Sequence, residues 1–158
     1  MSMYIDIQQA SDLEPPVPEE VLDEWARLPL RHLQKTGELT LRLVNKDEMI
    51  SLNHSYRQQN KPTNVLAFPS ALPDTVVLDY PLIGDVIICP EVLVEESESL
   101  EKPLIAHWAH IVIHGILHLL GYDHIKDSDA LVMQALEKEL LATLNFDDPY
   151  QTEEENLE

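Results

Sequence analysis

The sequence has little cysteine, no long apolar run and no leader-like start. Cys89 is the single cysteine of the chain, so an internal disulfide is excluded and a reducing compartment is favoured. The longest apolar stretch is interrupted by four histidines, so nothing approaches the roughly 20 residues that a membrane span needs. The start, MSMYIDIQQA, carries neither a cationic nor an apolar segment, so we expect no signal peptide. We therefore expect a cytoplasmic protein.

Basic residues are also scarce. The chain has 10 Lys and Arg against 29 Asp and Glu, which gives a formal net charge of −19. Taken alone, this balance argues against a nucleic-acid-binding protein, because contacts to phosphate need Lys and Arg. Net charge does not say where the charges lie, however. Seven basic residues fall between positions 27 and 61, whereas the acids crowd into residues 91–101 and 147–158. A local basic surface beside a cleft is therefore compatible with an acidic protein.

Length and pattern predict one α+β domain. With 158 residues, 44% of them hydrophobic, the chain has the size of a single domain with one core. Strict alternation over residues 38–44 predicts a strand, and weaker signals predict strands at 3–8, 62–69 and 83–89. The prolines around 62–69 favour an edge strand there.

Helices are predicted between and after these strands. Pro29 is expected to kink or end the first of them, and the acids of the helix that follows residue 90 are expected to form a solvated face. The result is one mixed sheet of about four strands, mostly parallel or partly antiparallel, covered by about five helices. We expect this domain to span residues 1–146. Residues 147–158 carry six acids and no base, which predicts a disordered tail.

The strongest chemical signal is a group of histidines at the end of a predicted helix. His114 and His118 are one turn apart, so their imidazoles project from one face and can share one ion. Gly121 supplies the left-handed residue that ends a helix, and this reversal brings His124 back towards the pair. Three imidazoles with an open fourth position are typical of a catalytic zinc site. Structural packing, the alternative, explains a lone histidine better than it explains this spacing.

The same spacing occurs in the metzincin pattern of zinc proteases, H-E-x-x-H-x-x-G-x-x-H, with one difference. Gly115 stands where those proteases place their glutamate general base. Because the usual proton acceptor is missing, peptide hydrolysis by the usual route is disfavoured unless another carboxylate substitutes for it.

Further groups of residues accompany the histidines in a fixed order. They are Tyr56-Arg57, Lys61-Pro62-Thr63-Asn64-Val65-Leu66-Ala67-Phe68-Pro69, Gly84-Asp85-Val86, His107-Trp108-Ala109-His110 and His114 to His124. Through them the sequence resembles the YbeY family of bacterial endoribonucleases, also called rRNA maturation factors, from Leu39 to about Tyr150. The resemblance implies a metal-dependent RNase specific for single strands. It implies action in 3′-end maturation of small-subunit (16S) ribosomal RNA and in ribosome quality control.

The resemblance also implies the ligands and partners. One Zn²⁺ per chain would be held by His114, His118 and His124, and Arg57 would be functionally important. The expected partners are single-stranded rRNA and the ribosome or small-subunit proteins, with neither a membrane nor DNA. The acidic balance then predicts weak, selective engagement of RNA that needs a partner or the ribosome for affinity.

The chemistry of other side chains leaves alternatives open. The planar fork of Arg57 matches a phosphate and can offset charge developing on it, while Lys61 is a weaker phosphate candidate. Asp85 and Asp123 either orient a ligating histidine, replace the absent base, or cap a turn. His107 and His110 share the face of the ligands, so they either line the cleft or are satisfied core residues.

Trp108 and Cys89 are expected in the core, although a thiol near zinc would be notable. A zinc-dependent endoribonuclease is the leading hypothesis. The alternatives are another metallohydrolase, such as a peptidase with a displaced base, and a non-catalytic ribosome-associated factor with a structural zinc.

Overall fold

A computed structural model of the protein describes residues 3–70, 81–122 and 126–150. Its strands are β1 (Met3–Gln9), β2 (Gly37–Leu43), β3 (Val65–Pro69) and β4 (Leu82–Ile88). Its helices are α1 (Glu19–His32), α2 (Lys46–Arg57), α3 (Pro90–Leu100), α4 (Leu104–Leu119) and α5 (Asp127–Thr143). The strands form one sheet in the order β1-β2-β4-β3, in which β1, β2 and β4 are parallel and β3 pairs antiparallel with β4. The predicted α+β architecture is confirmed, with β3 at an edge.

The sheet separates a large core from a small one. The alternating Leu39, Leu41 and Leu43 of β2 are buried in the large core, which also contains residues of α1, α4 and α5. Trp108 of α4 is buried there as predicted. The other face of the sheet and α2 enclose a smaller cluster: Val44, Met49, Leu66, Ile87 and Cys89. Because adjacent strand residues point to opposite faces, a residue's place in its strand decides which core it joins.

The first helix continues past its proline. Pro29 lies inside α1, which runs on to His32, so of the two expected effects of Pro29, a kink or an end of the helix, the end is wrong. A proline in a helix interior costs about 3 kcal/mol because it removes a hydrogen bond and crowds the preceding turn. Burial of one large apolar side chain is worth about 1.5–3 kcal/mol, and residues on both sides of the proline are buried: Leu22, Trp25, Ala26 and Leu30. Their packing offsets the cost.

Helix α4 lies close against the sheet at one glycine. A Cβ added to Gly115 would lie 2.8 Å from Cγ1 of Val86 and 2.9 Å from Cγ2 of Val65. The position that holds the glutamate base in zinc proteases therefore faces the sheet here and has no room for a long side chain.

The end of α4 is set by Gly121, as the sequence predicts. Its φ of +105° is a conformation that glycine adopts without strain. The N–H of Gly121 donates to the carbonyl of His118 at 3.1 Å, and the N–H of Tyr122 donates to the carbonyl of Leu117 at 3.1 Å. This pair of bonds is the Schellman ending of a helix. Within the described residues, no helix combines the length and apolar character that crossing a bilayer requires.

The segment that follows α5 contacts the domain. Lys102 Nζ donates to the carbonyl of Pro149, and the rings of Tyr150 and His110 lie 5.5 Å apart. The predicted boundary at residue 146 therefore falls before a segment that packs on the fold. Residues 151–158 lie outside the described residues, so disorder of the tail stays a prediction.

Candidate metal centre and active site

One face of α4 carries a row of four histidines. The ring centroids of successive members lie 6.3, 6.0 and 6.1 Å apart, in the order His107, His110, His114 and His118. Spacings of three and four residues place them on one side of the helix. Side-chain exposure of the first three rises from 5% to 12% to 22% along the helix, and His118 is also partly exposed. The row therefore runs from the core towards the surface.

His114 and His118 line a cavity of about 360 Å³ together with Arg57. Arg57 is the last residue of α2, which ends where Gln58 adopts a left-handed conformation. The rest of the wall comes from the region of β3, from α5 and from the C-terminal segment: Thr63, Asn64, Val65, Ala130, Met133, Gln134, Glu137 and Tyr150. The structure thus brings two predicted ligands to the predicted catalytic arginine. His124 and Asp123 lie outside the described residues.

The acceptors beside the two histidines favour the tautomers that a shared metal ion needs. His118 Nδ1 donates to the carbonyl of Tyr122 at 2.8 Å, and His114 Nδ1 donates to Glu137 Oε1 at 3.2 Å. A neutral ring that donates from Nδ1 keeps its lone pair on Nε2. The two ring centres lie 6.1 Å apart, and imidazole nitrogens are donors that zinc accepts. The donor set therefore fits a metal.

The turn at Gly121 contributes directly to this arrangement. By reversing the chain after α4, it places the carbonyl of Tyr122 beside the ring of His118. The same local sequence therefore ends the helix and orients a candidate ligand, which is why the motif is readable without tertiary information.

Glu137 is the site residue that the sequence reasoning missed. It belongs to α5 and its side chain is only 1% exposed. Oε1 accepts from His114, while Oε2 accepts from His110 Nε2 and, at 2.9 Å, from the Tyr150 hydroxyl. The signal was present: Glu137 lies on the apolar stripe of α5, among Met133, Leu140 and Leu141.

These hydrogen bonds decide the charge of Glu137. Desolvation raises the pKa of a buried carboxyl, but the hydrogen bonds from His110 and His114 outweigh it and bring the pKa of Glu137 down to about 2. Glu137 is therefore ionised at neutral pH. Desolvation lowers the pKa of His110 below its usual 6.5, against the opposing effect of Glu137, so His110 is neutral.

His110, His114 and Glu137 also form a group whose ligand atoms lie within 4.8 Å of one another, a composition that can hold a metal ion. His114 is common to this group and to the predicted histidine set. The sequence reasoning left His110 outside the metal ligands and offered it as either a cleft residue or a satisfied core residue. The structure places it behind His114, in contact with Glu137 and Tyr150.

His107 is a buried residue with a carboxylate partner. Its Nε2 lies 3.0 Å from Oε1 of Glu96, which also accepts from Asn64 Nδ2. The sequence predicts that Glu96 belongs to a solvated face of α3. This prediction is wrong for Glu96, because its carboxylate is bonded to His107 and Asn64. Both side chains line a second cavity of about 470 Å³, which shares Asn64, His114 and Tyr150 with the first.

Three other candidates lie elsewhere. Asp85 is exposed and lines a different cavity with Thr40 and Phe68; since its neighbour Val86 faces α4, Asp85 points to the opposite side of the sheet. Lys61 is exposed and is absent from the described wall of the histidine cavity. Cys89 lies in the small core, where burial raises the pKa of its thiol.

The wall of the cavity has little net charge. Among its described residues, Arg57 is the one cation and Glu137 the one carboxylate. Four other basic residues from positions 27 to 61 pair with acids: Arg27 with Asp23, Arg31 with Glu24, Arg42 with Glu48 and Lys46 with Glu95. The sequence allows a basic surface beside the cleft. In the structure, carboxylates pair with most of the basic residues between positions 27 and 61, and Arg57 is the one basic residue in the described wall.

Comparison with known proteins shows the family of the chain. The model of the family described as endoribonuclease YbeY matches residues 6–145. Endoribonuclease YbeY of Legionella pneumophila (strain Paris) is 54% identical over 158 residues, covering 100% of both chains. The chain belongs to the endoribonuclease YbeY family. Endoribonuclease YbeY of Pseudomonas putida (strain W619) is 49% identical over 152 residues, 96% of each chain.

A similar fold is also seen in a solved structure. The solution structure of TM1509 from Thermotoga maritima superposes with a TM-score of 0.59 at 26% identity, covering 95% of this chain and 93% of the other. Enzymes of the YbeY family are hydrolases that act on RNA. The groups found here, imidazoles that can hold a metal and an arginine that can hold a phosphate, suit that reaction.

Proposed function

We propose that this chain is a zinc-dependent, single-strand-specific endoribonuclease that acts in 3′-end maturation of 16S rRNA and in ribosome quality control. The observation that carries the proposal is one cavity that is lined by Arg57 together with His114 and His118. Family membership supports RNA as the substrate.

The metal would be held by His114, His118 and His124. Imidazole ligands suit zinc, although they also accept nickel, copper and iron. When bound by three histidines, zinc acts as a Lewis acid that lowers the pKa of water to about 7 and polarises a phosphoryl oxygen. His118 is oriented for this by the Tyr122 carbonyl, and His114 by the Glu137 carboxylate.

Arg57 would hold the scissile phosphate. Its guanidinium presents two parallel N–H donors to phosphate oxygens, and its permanent charge stabilises negative charge that develops during cleavage. Arg57 is exposed and stands at the end of a helix, so it can reach a strand that enters from solvent.

A concave site favours unpaired RNA. Single strands can splay a phosphate and its bases into a cavity, whereas the backbone of a rigid A-form duplex remains on the outside of a rod. The wall, where the cation Arg57 is matched by the carboxylate of Glu137, and the formal net charge of −19 supply little general affinity. We therefore propose that the ribosome or small-subunit proteins help to present the single-stranded rRNA in the cytoplasm, and that DNA is not a substrate.

The peptidase alternative has one observation in its favour, the carboxylate of Glu137 in the cavity wall. This carboxylate is a poor replacement for the missing general base. It already accepts three hydrogen bonds, and its pKa of about 2 makes it a weak proton acceptor.

The test compares the cleavage of RNA with the cleavage of a peptide by the same purified proteins. Wild-type protein and His114→Ala are incubated with single-stranded rRNA fragments, with duplex RNA and with an unstructured peptide, each with and without a chelator. We expect cleavage of single strands only, lost on chelation and in His114→Ala. RNA cleavage that survives both treatments, or cleavage of the peptide alone, would contradict the proposal.

A further inference from the structure

The carboxylate of Glu137 has both of its oxygens committed. Oε1 faces His114 Nδ1 at 3.2 Å, and Oε2 receives His110 Nε2 and the Tyr150 hydroxyl. A carboxylate held at both ends cannot rotate about its terminal bond without losing a hydrogen bond. The acceptor offered to His114 is therefore fixed in direction as well as in distance.

The burial of Glu137 has a cost in desolvation free energy, because its side chain is only 1% exposed. An acid on a helix stripe that is otherwise buried among Met133, Leu140 and Leu141 must be desolvated. Three hydrogen bonds compensate that cost, and two of the donors come from α4. A leucine there would join α4 to α5 by simple packing, so stability alone does not explain the charge.

The two candidate ligands, His114 and His118, have different hydrogen-bond acceptors. His118 is oriented by a neutral carbonyl, that of Tyr122, whereas His114 donates to an ionised carboxylate. An Nδ1–H bonded to a carboxylate makes the Nε2 of the same ring a stronger metal donor and fixes the ring plane. Of these two described histidines, His114 therefore has the more strongly accepting partner.

We propose that Glu137 is a positioning residue that orients and strengthens His114 as a metal ligand, with Tyr150 and His110 holding its second oxygen. This inference rests on the proposed function, because it takes Nε2 of His114 as the ligand atom. Glu137 does not touch the metal or the RNA in this arrangement.

The first test is zinc affinity, measured with metal-free protein by competition against a chromogenic chelator. Glu137→Gln should raise the zinc dissociation constant by roughly 10–100-fold, since loss of such a partner typically has this effect. Glu137→Asp, which restores the charge, should recover part of the affinity. Glu139→Gln is the matched control: it removes one charge from the same helix at a side chain that is 62% exposed, and should bind zinc like the wild type.

Unchanged zinc affinity in a folded Glu137→Gln would overturn the inference whatever the nuclease activity. Complete loss of zinc binding in His110→Ala and Glu137→Gln, with binding retained in His118→Ala, would also overturn it, because the metal would then be held by His110, His114 and Glu137 themselves. Inactivity of zinc-loaded wild type on RNA would contradict the proposed function and leave the affinity result intact.

A second measurement needs no variant, in case Glu137→Gln does not fold. ¹⁵N NMR of the imidazoles of the metal-free wild type should show His114 protonated on Nδ1, with a proton shifted downfield by its carboxylate acceptor. A His114 ring protonated on Nε2 alone would overturn the inference.

In Tyr150→Phe, which removes one donor to Oε2, zinc affinity should fall by less than in Glu137→Gln.

Discussion

The two halves of the histidine row on α4 use the same residue in opposite ways. His107 and His110 lie in the interior, where their Nε2 atoms meet carboxylates of Glu96 and Glu137. His114 and His118 lie at the cavity, where their Nδ1 atoms are the bonded ones. The ring nitrogen that is bonded to the protein thus changes from Nε2 in the first two histidines to Nδ1 in the last two.

This reversal is instructive because the residue type is the same in both halves, and the spacing differs only between three residues for His107 and His110 and four for His114 and His118. A ring bonded through Nδ1 directs Nε2 outward, whereas a ring bonded through Nε2 directs its farther nitrogen inward. Ligand character is therefore decided by which acceptor lies near each nitrogen, and by how far each ring is exposed. The following experiments test that division, from the largest expected effect to the smallest.

Removing a ring from the outer half should abolish function while sparing the fold. We expect His118→Ala to lower RNA cleavage by about 1,000-fold, since a catalytic metal supplies several kcal/mol of transition-state stabilisation. The stability of the metal-free protein should change by less than about 1 kcal/mol, because the side chain is only partly buried. Cleavage rates on single-stranded RNA and urea unfolding without metal measure the two effects. Wild-type cleavage rates would remove His118 from the site.

Reversing the charge beside the outer half should separate catalysis from metal binding. Arg57→Glu should keep zinc affinity but lower RNA cleavage by about 100-fold, because a group that stabilises developing charge is replaced by one that repels the phosphate. Arg31→Glu is the matched control, with the same change of charge on a surface side chain paired with Glu24. Equal losses in both variants would mean that overall charge, rather than Arg57, is responsible.

Removing a ring from the inner half should do the reverse. His107→Ala should destabilise the protein by about 2–3 kcal/mol, since it leaves a cavity in the core and removes a buried hydrogen bond. Zinc affinity should stay within a few-fold of the wild type. Urea unfolding and the chelator competition assay measure both quantities, and a loss of affinity without a loss of stability would break the comparison.

Acidification should affect the inner half through His110. Burial keeps the folded-state pKa of His110 below the usual 6.5, so the unfolded chain takes up its proton first as the pH falls. This histidine therefore contributes stability that is present above pH 6.5 and is lost as the pH falls through its folded pKa. In metal-free protein the His110 ring resonances should not titrate between pH 8 and 6.5. A midpoint at or above that of a histidine-containing peptide would contradict the assignment.

Local features of the site could be predicted from the sequence, and contacts between distant elements could not. The pair His114 and His118 and the turn at Gly121 follow from helix periodicity, and the family resemblance pointed to Arg57. Glu137 escaped because its partners lie 23 and 27 residues earlier in the chain, so its role depends on how α5 docks on α4. An acid on the apolar stripe of α5 was the available signal.

The fold shows the same limit. Strand β2 was predictable because alternation is a local property, and β3 was placed at an edge by its prolines. The continuation of α1 through Pro29 was not, since it depends on packing against the rest of the large core. Glu96 likewise resembles its solvated neighbours on α3 until the structure places His107 and Asn64 beside it.

Tyr150 contacts His110 and Glu137, so the residues that shape the site include one that follows α5, the last helix of the described residues. A protein shortened after residue 146 would retain all strands and helices of the described residues, yet it would lose Tyr150 from the wall of the cavity and with it one anchor of the Glu137 carboxylate. A purification tag is therefore better attached to the N-terminus, and activity measured on C-terminally trimmed material would understate that of the full chain.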